Sequence, residues 1–504
     1  MKHFFLLSIL CITIAWGGFR TPNTGVVWNL DSLVMFSDST VTGTFPHYNI
    51  IDTVTIAEND VVEITAGSIL LISGQGIVVY GTMRAIGTAN ARIVFSSRTP
   101  APASWKELRF EDSSTDGDCM LFYCVVEYAD KSINCINASP RISHSTIRYN
   151  NNYGIQCFGS NATIDYDSIY NNVKYGINVT FASNPYIEHC VIFDNNTQNT
   201  GPKNQISIGT QGINSPVVRF NEIYGSVNFK TGGISISALL AGSGSNAIIE
   251  GNYIHNNSFG IVCAGADINV IIKNNRIENN TLNPNPLQGG SGINVNYSAS
   301  NTPIITGNNI SGNLWGITIQ GNAQPNIGNL SNEDSTDDGK NVFINNTHND
   351  TIFNLYNNTS GNILAQNNYW GSSNSDSVAM TIFDHADFPN LGEVLYEPYL
   401  LIEPTVSIND NTDISENEFI LEQNFPNPFN PKTTISFSLF NSSNVTVNIY
   451  DVLGRNVATL LHNIRMHAGK HFLEFDATQL SGGIYFYSLR TNKFSSMKKM
   501  IFLQ

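Results

Sequence analysis

The chain has 504 residues, a formal net charge of −15 and only 13% charged residues. Because nucleic-acid binding requires a positively charged surface and no basic cluster occurs here, nucleic acid is excluded as a predicted partner. An acidic polymer would also be repelled on average, unless calcium or a local basic patch mediated the contact. Asn, Ser, Thr, Ile and Gly dominate over the residues of long helices, which favours an all-β chain.

The N-terminal segment 1–19 has the pattern of a secretory signal peptide. Lys2 and His3 give it a basic start, the run 4–16 is apolar but too short to span a bilayer, and Gly17 offers a small residue for cleavage. No later stretch is apolar over the length of a membrane span. We therefore predict an exported chain with no integral membrane segment.

Residues 20–110 alternate apolar and polar positions between glycine turns, as in "VVEITAGSILLISGQGIVVYGTMRAIG". Alternation with a period of two is typical of short strands. We predict an N-terminal cap followed by the first coils of a repeat array.

A recurring phrase fills residues 111–400. It returns at intervals of about 22 residues, with insertions of about ten in some copies, which is the signature of a solenoid. The first copies begin "CMLFYCVV", "PRISHSTI" and "ATIDYDSI", and the third and eighth positions are always apolar. These two positions are an odd number apart, so a corner between them is needed to turn both inward.

The sixth position of the phrase is predicted to form this corner. Asn tolerates left-handed backbone geometry, and amides stacked about 4.8 Å apart in successive coils would bond in a ladder. A Gly-Ile strand then completes each copy, giving three strands and three bends. Four successive copies carry an amide at the corner: Asn221, Asn252, Asn275 and Asn308.

The pattern predicts an all-β fold, a right-handed parallel β-helix solenoid, because right-handed crossovers are the strong default. Over roughly residues 45–400 it resembles the right-handed parallel β-helix family of pectate lyases, tailspikes and periplasmic NosD-like proteins. The resemblance implies the fold, but that fold hosts both enzymes and non-catalytic surfaces.

The cysteines follow the same register. Cys135, Cys157 and Cys263 fall in the inward column of the Gly-Ile strand, where other copies carry Val or Ile. We predict free thiols that act as small core hydrophobes. The alternative is a disulfide between Cys135 and Cys157, which lie in neighbouring coils.

The outward fourth position carries alternating charges that allow two interpretations. Ion pairs between neighbouring coils would form a solvated ladder, each worth ~0–1 kcal/mol. The alternative is the acid–base cleft of a polysaccharide lyase, although its acids would not be expected to interleave with its bases. The candidate catalytic residues on that view are Arg219, Lys273, Glu188 and Glu250.

Aromatic side chains follow the eighth position in four successive coils. They predict either a sugar-stacking platform or a stack that stabilises the outer wall. His144 and His189 share the fifth position two coils apart, which favours exposed imidazoles over a metal pair. The four glycan-stacking candidates are Tyr170, Phe193, Tyr224 and His255.

One acidic insertion is a candidate calcium site. Asp334, Asp337 and Asp338 lie close together beside Gly339, and hard oxygen donors at that density suit calcium. The alternative is a plain acidic turn, and no other cofactor is expected.

Insertions near 195–205, 225–231 and 279–291 fall between the eighth position and the next Gly-Ile strand. They are therefore expected to emerge along one edge of the solenoid, whereas the insertion near 331–341 follows the Gly-Ile strand. Loops gathered on one edge would form the walls of a binding groove.

A polar linker at 401–418 leads to a segment of different composition at 419–504. Alternating strands with turn signals predict a small β-sandwich there. The segment resembles the type A sorting domain of the type IX secretion system found in Bacteroidetes and relatives. The matching motif residues are Phe425, Pro426, Asn427, Pro428, Phe429, Asn430, Pro431, Gly454, Arg455, Gly482, Gly483, Lys498 and Lys499.

The resemblance implies a route and a set of partners. The chain would cross the periplasm, meet the outer-membrane translocon and sortase, and end secreted or attached to the outer surface. The leading functional hypothesis is a non-catalytic surface protein that contacts carbohydrate or mediates adhesion, with polysaccharide as a partner. The alternatives are a polysaccharide lyase or glycoside hydrolase acting beside the inserted loops, and a purely structural surface component.

Overall fold

The computed structural model describes residues 18–503, except 202, 226–227, 286–288, 405–418, 422, 440–442, 452–454, 467–468 and 492–494. The predicted signal peptide therefore lies outside the described residues apart from its last two positions, and so does most of the predicted linker. The chain divides into two compact units, 1–408 and 409–504.

The first unit is a parallel β-helix with three long sheets, and each coil between its two ends contributes one strand to each sheet. Sheet 1 contains the Gly-Ile strands, and its isoleucines align in register, as Ile155 does with Ile177. A Cβ at Gly176 would lie only 2.4 Å from the carbonyl oxygen of Gln205, so this position requires glycine. The 14 strands of sheet 1 are Phe19–Arg20, Val54–Ile56, Gly74–Val79, Trp105–Phe110, Ala129–Ile136, Tyr153–Phe158, Tyr175–Thr180, Ile206–Gly209, Ile234–Ala238, Ile261–Gly265, Ser291–Tyr297, Trp315–Gln320, Leu355–Asn358 and Ile382–Phe383.

Sheet 2 contains the third position of the phrase. The third-position residues are fully buried and pair in register from coil to coil, as Ile142 does with Ile164. The 14 strands of sheet 2 are Val27–Asn29, Val61–Ile64, Thr82–Ile86, Met120–Phe122, Arg141–Ser143, Thr163–Asp165, Tyr186–Glu188, Val217–Arg219, Ile248–Glu250, Ile271–Lys273, Ile304–Thr306, Asn326–Gly328, Ile363–Ala365 and Val394–Leu395.

Sheet 3 contains the eighth position, again buried and in register, as with Ile147 and Ile169. Its first two strands form an antiparallel hairpin, and the rest are parallel. The 13 strands are Val41–Thr44, His47–Ile50, Ile69–Ile72, Ile93–Ser96, Cys124–Glu127, Thr146–Arg148, Ser168–Tyr170, Val191–Phe193, Glu222–Tyr224, Tyr253–His255, Arg276–Glu278, Asn309–Ser311 and Val342–Ile344. Two short pairs lie outside these sheets: Ile213–Asn214 with Gly244–Ser245, and Thr347–His348 with Thr351–Ile352.

The corner between sheets 2 and 3 is held by the predicted amide ladder. The backbone N–H and the side-chain amide of Asn252 each donate to Oδ1 of Asn275 at 2.9 Å. Asn275 repeats both bonds to Asn308 at 3.0 Å, and its amide also donates to the carbonyl of Ile249. Each amide thus pairs a backbone N–H that would otherwise be buried without a partner.

The expectation of left-handed geometry at the sixth position was wrong by one residue. The fifth residue has the positive φ, 55° at His144, 57° at Tyr166 and 55° at Phe220. This left-handed residue makes the bend, and the sixth residue can then turn its side chain inward to the ladder.

A second amide ladder, which the sequence analysis missed, lies at the corner after sheet 3. Asn280 donates both its backbone N–H and its amide to Oδ1 of Asn313 at 3.0 Å. All the amides of this ladder are buried. It contains Asn150, Asn172 and Asn195 in one run, and Asn257, Asn280, Asn313 and Asn346 in another.

Short helices lie near the two ends of the solenoid. Helix Leu30–Phe36 begins with a capping box between Asn29 and Ser32 and buries Leu30 and Leu33. Near the other end, helix Ser375–Ala379 is followed by strand Ile382–Phe383, which adds to sheet 1. A 3-10 turn occupies Ser335–Asp337.

The cysteines within the described residues have free thiols, and all of them are buried. Cys135 and Cys157 pair in register on neighbouring strands, yet they are not bonded to each other. The expectation of free core thiols is confirmed for these residues.

The second unit is a small antiparallel β-sandwich with its own core, which includes Phe429, Ile435 and Tyr487. One sheet contains Phe419–Leu421, Lys432–Leu439 and Gly469–Asp476. The other contains Ser443–Asp451, Asn456–Met466, Gly483–Arg490 and Ser495–Phe502.

We predict that Asn275→Ala lowers the free energy of unfolding by about 1–3 kcal/mol for each buried donor or acceptor left without a partner. The substitution removes the acceptor of the Asn252 backbone N–H. The urea midpoint followed by circular dichroism measures the loss. The exposed Asn246→Ala is the control, and equal midpoints for the two variants would contradict a stabilising ladder.

Asp167 occupies the sixth position of its coil and is buried in the same ladder. Its Oδ1 accepts the Ser145 backbone N–H at 2.6 Å, and its Oδ2 has no partner. Burial raises the pKa of Asp167 well above its usual range, which favours the protonated carboxyl in the folded chain.

The free energy of unfolding should therefore fall as pH rises above the ordinary pKa of Asp, by about 1.4 kcal/mol per pH unit until the folded pKa is reached. This follows because the folded state binds the proton and the unfolded state has lost it. Asp167→Asn should remove this slope and raise stability at neutral pH. Urea midpoints across pH test this, with the exposed Asp267→Asn as control; parallel profiles for wild type and Asp167→Asn would contradict it.

Candidate functional site

A groove of about 470 Å³ lies on the outer face of sheet 1. It is lined by strands from Tyr175–Thr180 to Ser291–Tyr297 and by parts of the insertions near 195–205 and 279–291. Two of the insertions expected on one edge thus border the same groove.

The floor of the groove contains one outward column of sheet 1. Asn178, Ser207, Ser235, Val262 and Asn294 pair in register from strand to strand. All five line the groove. Four of them offer amide or hydroxyl groups, which both donate and accept hydrogen bonds.

The first insertion is tied to this floor by Asn204. Its side-chain amide donates to Oγ of Ser235 at 2.7 Å, and its Oδ1 accepts the backbone N–H of Gly232 at 3.0 Å. These bonds join two neighbouring coils, so they hold this wall of the groove in place against the floor.

Aromatic and apolar side chains complete the lining. Tyr175, Phe259, Leu239 and Tyr297 contribute, and the side chain of Tyr297 is 54% exposed. The ammonium of Lys203 lies 4.9 Å from the centre of the Tyr175 ring, in cation–π geometry. Among the described lining residues, none is acidic, and Lys203 is the one basic residue.

The candidate catalytic residues lie elsewhere, in one outward column of sheet 2. Arg219 bonds Glu188 at 2.7 Å, and Lys273 bonds Glu250 at 3.1 Å. These four residues are in successive coils and pair in register. The ion-pair ladder is thus formed, and none of its members lines the groove.

The glycan-stacking candidates lie on sheet 3 and form a continuous stack. Ring centroids are 4.7 Å apart for Tyr170 and Phe193, 4.9 Å for Phe193 and Tyr224, and 5.0 Å for Tyr224 and His255. The planes are within 13° of parallel. Because each inner ring covers the face of its neighbour, these rings turn edges rather than faces to solvent.

A second column of stacked rings lies at the left-handed fifth position. Only its two histidines were singled out in the sequence. Tyr166 lies between His144 and His189, with both centroid distances 4.9 Å. The stack continues to Tyr123 at one end and to Phe220 at the other. The recurrence of Tyr, His or Phe at the fifth position of the phrase was the sequence signal that could have predicted this stack.

The candidate calcium loop is held by amide donors. Asp337 is 5% exposed, and its Oδ2 accepts from Asn326 at 2.7 Å and from Asn332 at 3.0 Å. Asp334 instead caps the 3-10 turn through Thr336. No group of three His, Cys, Asp or Glu side chains able to hold a metal ion occurs among the described residues. Calcium binding at Asp334, Asp337 and Asp338 stays a prediction.

The sorting-motif residues tie the entry of the second unit to its last strand. Phe429 is buried, and its backbone N–H donates to the carbonyl of Ile501. The backbone N–H of Ile501 in turn donates to Oδ1 of Asn427. Arg455 bonds Asp451 at 2.6 Å. Gly454 lies outside the described residues. The other motif positions are in or beside these strands: Phe425, Pro426, Pro428, Asn430, Pro431, Gly482, Gly483, Lys498 and Lys499.

Two families match the chain. Residues 131–300 match the right handed beta helix region, and residues 423–503 match the secretion system C-terminal sorting domain. The chain therefore carries a right-handed β-helix and a type IX secretion sorting domain, as predicted. The sorting domain indicates secretion and interaction with the secretion system. No helix within the described part of the chain is long and apolar enough to cross a bilayer.

Solved structures give weak likenesses. An alginate lyase from a Paenibacillus species is 13% identical over 65% of this chain and 98% of its own, with a TM-score of 0.31. A tailspike from an Acinetobacter baumannii bacteriophage, a capsular polysaccharide depolymerase, is 8% identical over 88% of this chain and 73% of its own, with a TM-score of 0.35. A search of curated proteins found no match. Scores this low do not bear on the function of this chain.

We predict that Phe193→Ala lowers the free energy of unfolding by about 1–3 kcal/mol, because it removes two stacked ring pairs of about 0.5–1.5 kcal/mol each. The urea midpoint measures the loss. Tyr186→Ala is the matched control, since Tyr186 is exposed on sheet 2. A loss no larger than that of the control would show that the stack adds nothing to stability.

Proposed function

We propose that the chain is a non-catalytic, carbohydrate-contacting protein of the cell surface or extracellular space. The observation that supports this most directly is the groove on sheet 1. Hydroxyl, amide and aromatic side chains are the groups that bind sugar hydroxyls and sugar ring faces. The groove offers all three on a floor set by paired strands.

The same lining argues against glycoside hydrolysis in the groove. Glycoside hydrolysis uses a pair of carboxyl groups, and no acidic side chain is among the described lining residues. The acids and bases of sheet 2 neutralise one another, as Glu188 does with Arg219. A lyase or hydrolase therefore remains the alternative hypothesis, with Arg219, Lys273, Glu188 and Glu250 as its candidates.

The proposed route begins with the signal peptide at 1–19 and passes through the periplasm to the type IX translocon. The sorting domain would then be removed by the sortase, and the β-helix released or attached to the outer surface.

The test incubates the purified chain with immobilised neutral and acidic polysaccharides, with and without calcium. Retention without new reducing ends or unsaturated products is the expected result. Product formation that is lost in Arg219→Met or Lys273→Met would instead establish the enzyme. Neither retention nor products on any polymer would contradict a carbohydrate function and favour a structural surface role.

A further inference from the structure

The groove spans a defined number of coils. Its lining comes from the strands Tyr175–Thr180, Ile206–Gly209, Ile234–Ala238, Ile261–Gly265 and Ser291–Tyr297, which are consecutive neighbours in sheet 1. At about 4.8 Å between strands, the distance from the first to the last is about 19 Å. A sugar unit in an extended chain is about as long as one strand spacing.

The polar groups repeat with the same spacing. Asn178, Ser207, Ser235 and Asn294 belong to one column that runs along the solenoid axis, interrupted only by Val262. A ligand lying along this column meets an equivalent position at each coil. A ligand lying across it would not contact most of these groups.

The two ends of the groove differ. At one end, the Tyr175 ring is in contact with the ammonium of Lys203. At the other, Tyr297 is 54% exposed and offers ring surface to a sugar. Tyr297 is thus the most exposed of the three aromatic residues among the described lining residues, and it lies at the end formed by the last strand.

The charge of the groove and of the whole chain favours uncharged over acidic sugar polymers. A uronic-acid polymer places a carboxylate on every unit, so a chain along the groove would bring several carboxylates against a single ammonium, that of Lys203. Carboxylates buried without a cation are costly, and the net charge of −15 opposes their approach. An uncharged sugar chain meets neither penalty.

We infer that the groove binds an uncharged, extended oligosaccharide of about four sugar units, aligned with the solenoid axis. The inference rests on the proposed carbohydrate-binding function and adds the charge class, length and direction of the ligand. Tyr297 stacks on the terminal unit, and the amide and hydroxyl column bonds the remaining units.

The experiment measures binding of the full chain to neutral glucan, xylan, mannan and galactan, and to polygalacturonate and alginate. Oligomers of increasing length from each retained polymer are then titrated by calorimetry. We expect a neutral polymer to be retained, with Kd changing less than about twofold between about 0.02 M and about 0.5 M NaCl, because no ionic contact is screened. Affinity should rise with length and level off at about four or five units.

Two single-residue variants test whether the ligand binds in the groove. Tyr297→Ala should weaken binding about tenfold, as expected for the loss of one aromatic contact. The exposed Tyr186→Ala, outside the groove, should leave Kd unchanged, and equal urea midpoints check that both variants fold. If the two variants bind equally, the groove is not the site and the inference fails.

Other outcomes separate this inference from the function on which it rests. Retention of acidic polymers alone, weakening steeply with salt, would overturn the uncharged ligand while leaving carbohydrate binding intact. Affinity that levels off at one or two units would overturn the axial alignment. Retention of no polymer would overturn both the inference and the proposed function.

Discussion

The structure depends on the pairing of buried backbone groups at the corners of each coil. A chain that turns around a dry core must bury N–H and C=O groups that no neighbouring strand reaches. Amide side chains supply the missing partners, because one Asn accepts from the coil before it and donates to the coil after it. Asn252, Asn275 and Asn308 do this after sheet 2, and Asn280 and Asn313 do so after sheet 3.

This pairing also holds the coils in register, and the register organises the outer surface. Side chains at one position of the phrase form a straight column on the outside of the solenoid. One column became an ion-pair ladder, as with Glu188 and Arg219, and another became a ring stack, as with Phe193 and Tyr224. Each column stabilises itself by contacts with its own neighbours. Such columns are a general consequence of the fold and are not by themselves evidence of a binding site.

The groove arises where this regularity is interrupted. Insertions near 195–205 and 279–291 border the outer face of sheet 1 and turn an open column into a floor with walls. The candidate catalytic and glycan-stacking residues lie on columns of sheets 2 and 3 instead. The sequence assigns those residues to columns and predicts walls along one edge. It did not identify which column lies between the walls. The polar residues following Gly-Ile, such as Asn178 and Asn294, were the available signal.

The sequence by itself determined the architecture and the presence of the sorting domain. Both follow from short-range repetition: inward isoleucines, corner amides, Gly-Ile strands and a dense terminal motif around Phe429 and Arg455. Only the tertiary structure decided which residue of each corner is left-handed, that Asp167 is buried in a ladder with one carboxylate oxygen, Oδ2, unpaired, and that Asn204 fixes a loop against Ser235. These features depend on contacts between coils. Such contacts join residues that are far apart in the sequence. Their separation along the chain varies from coil to coil, because the insertions differ in length.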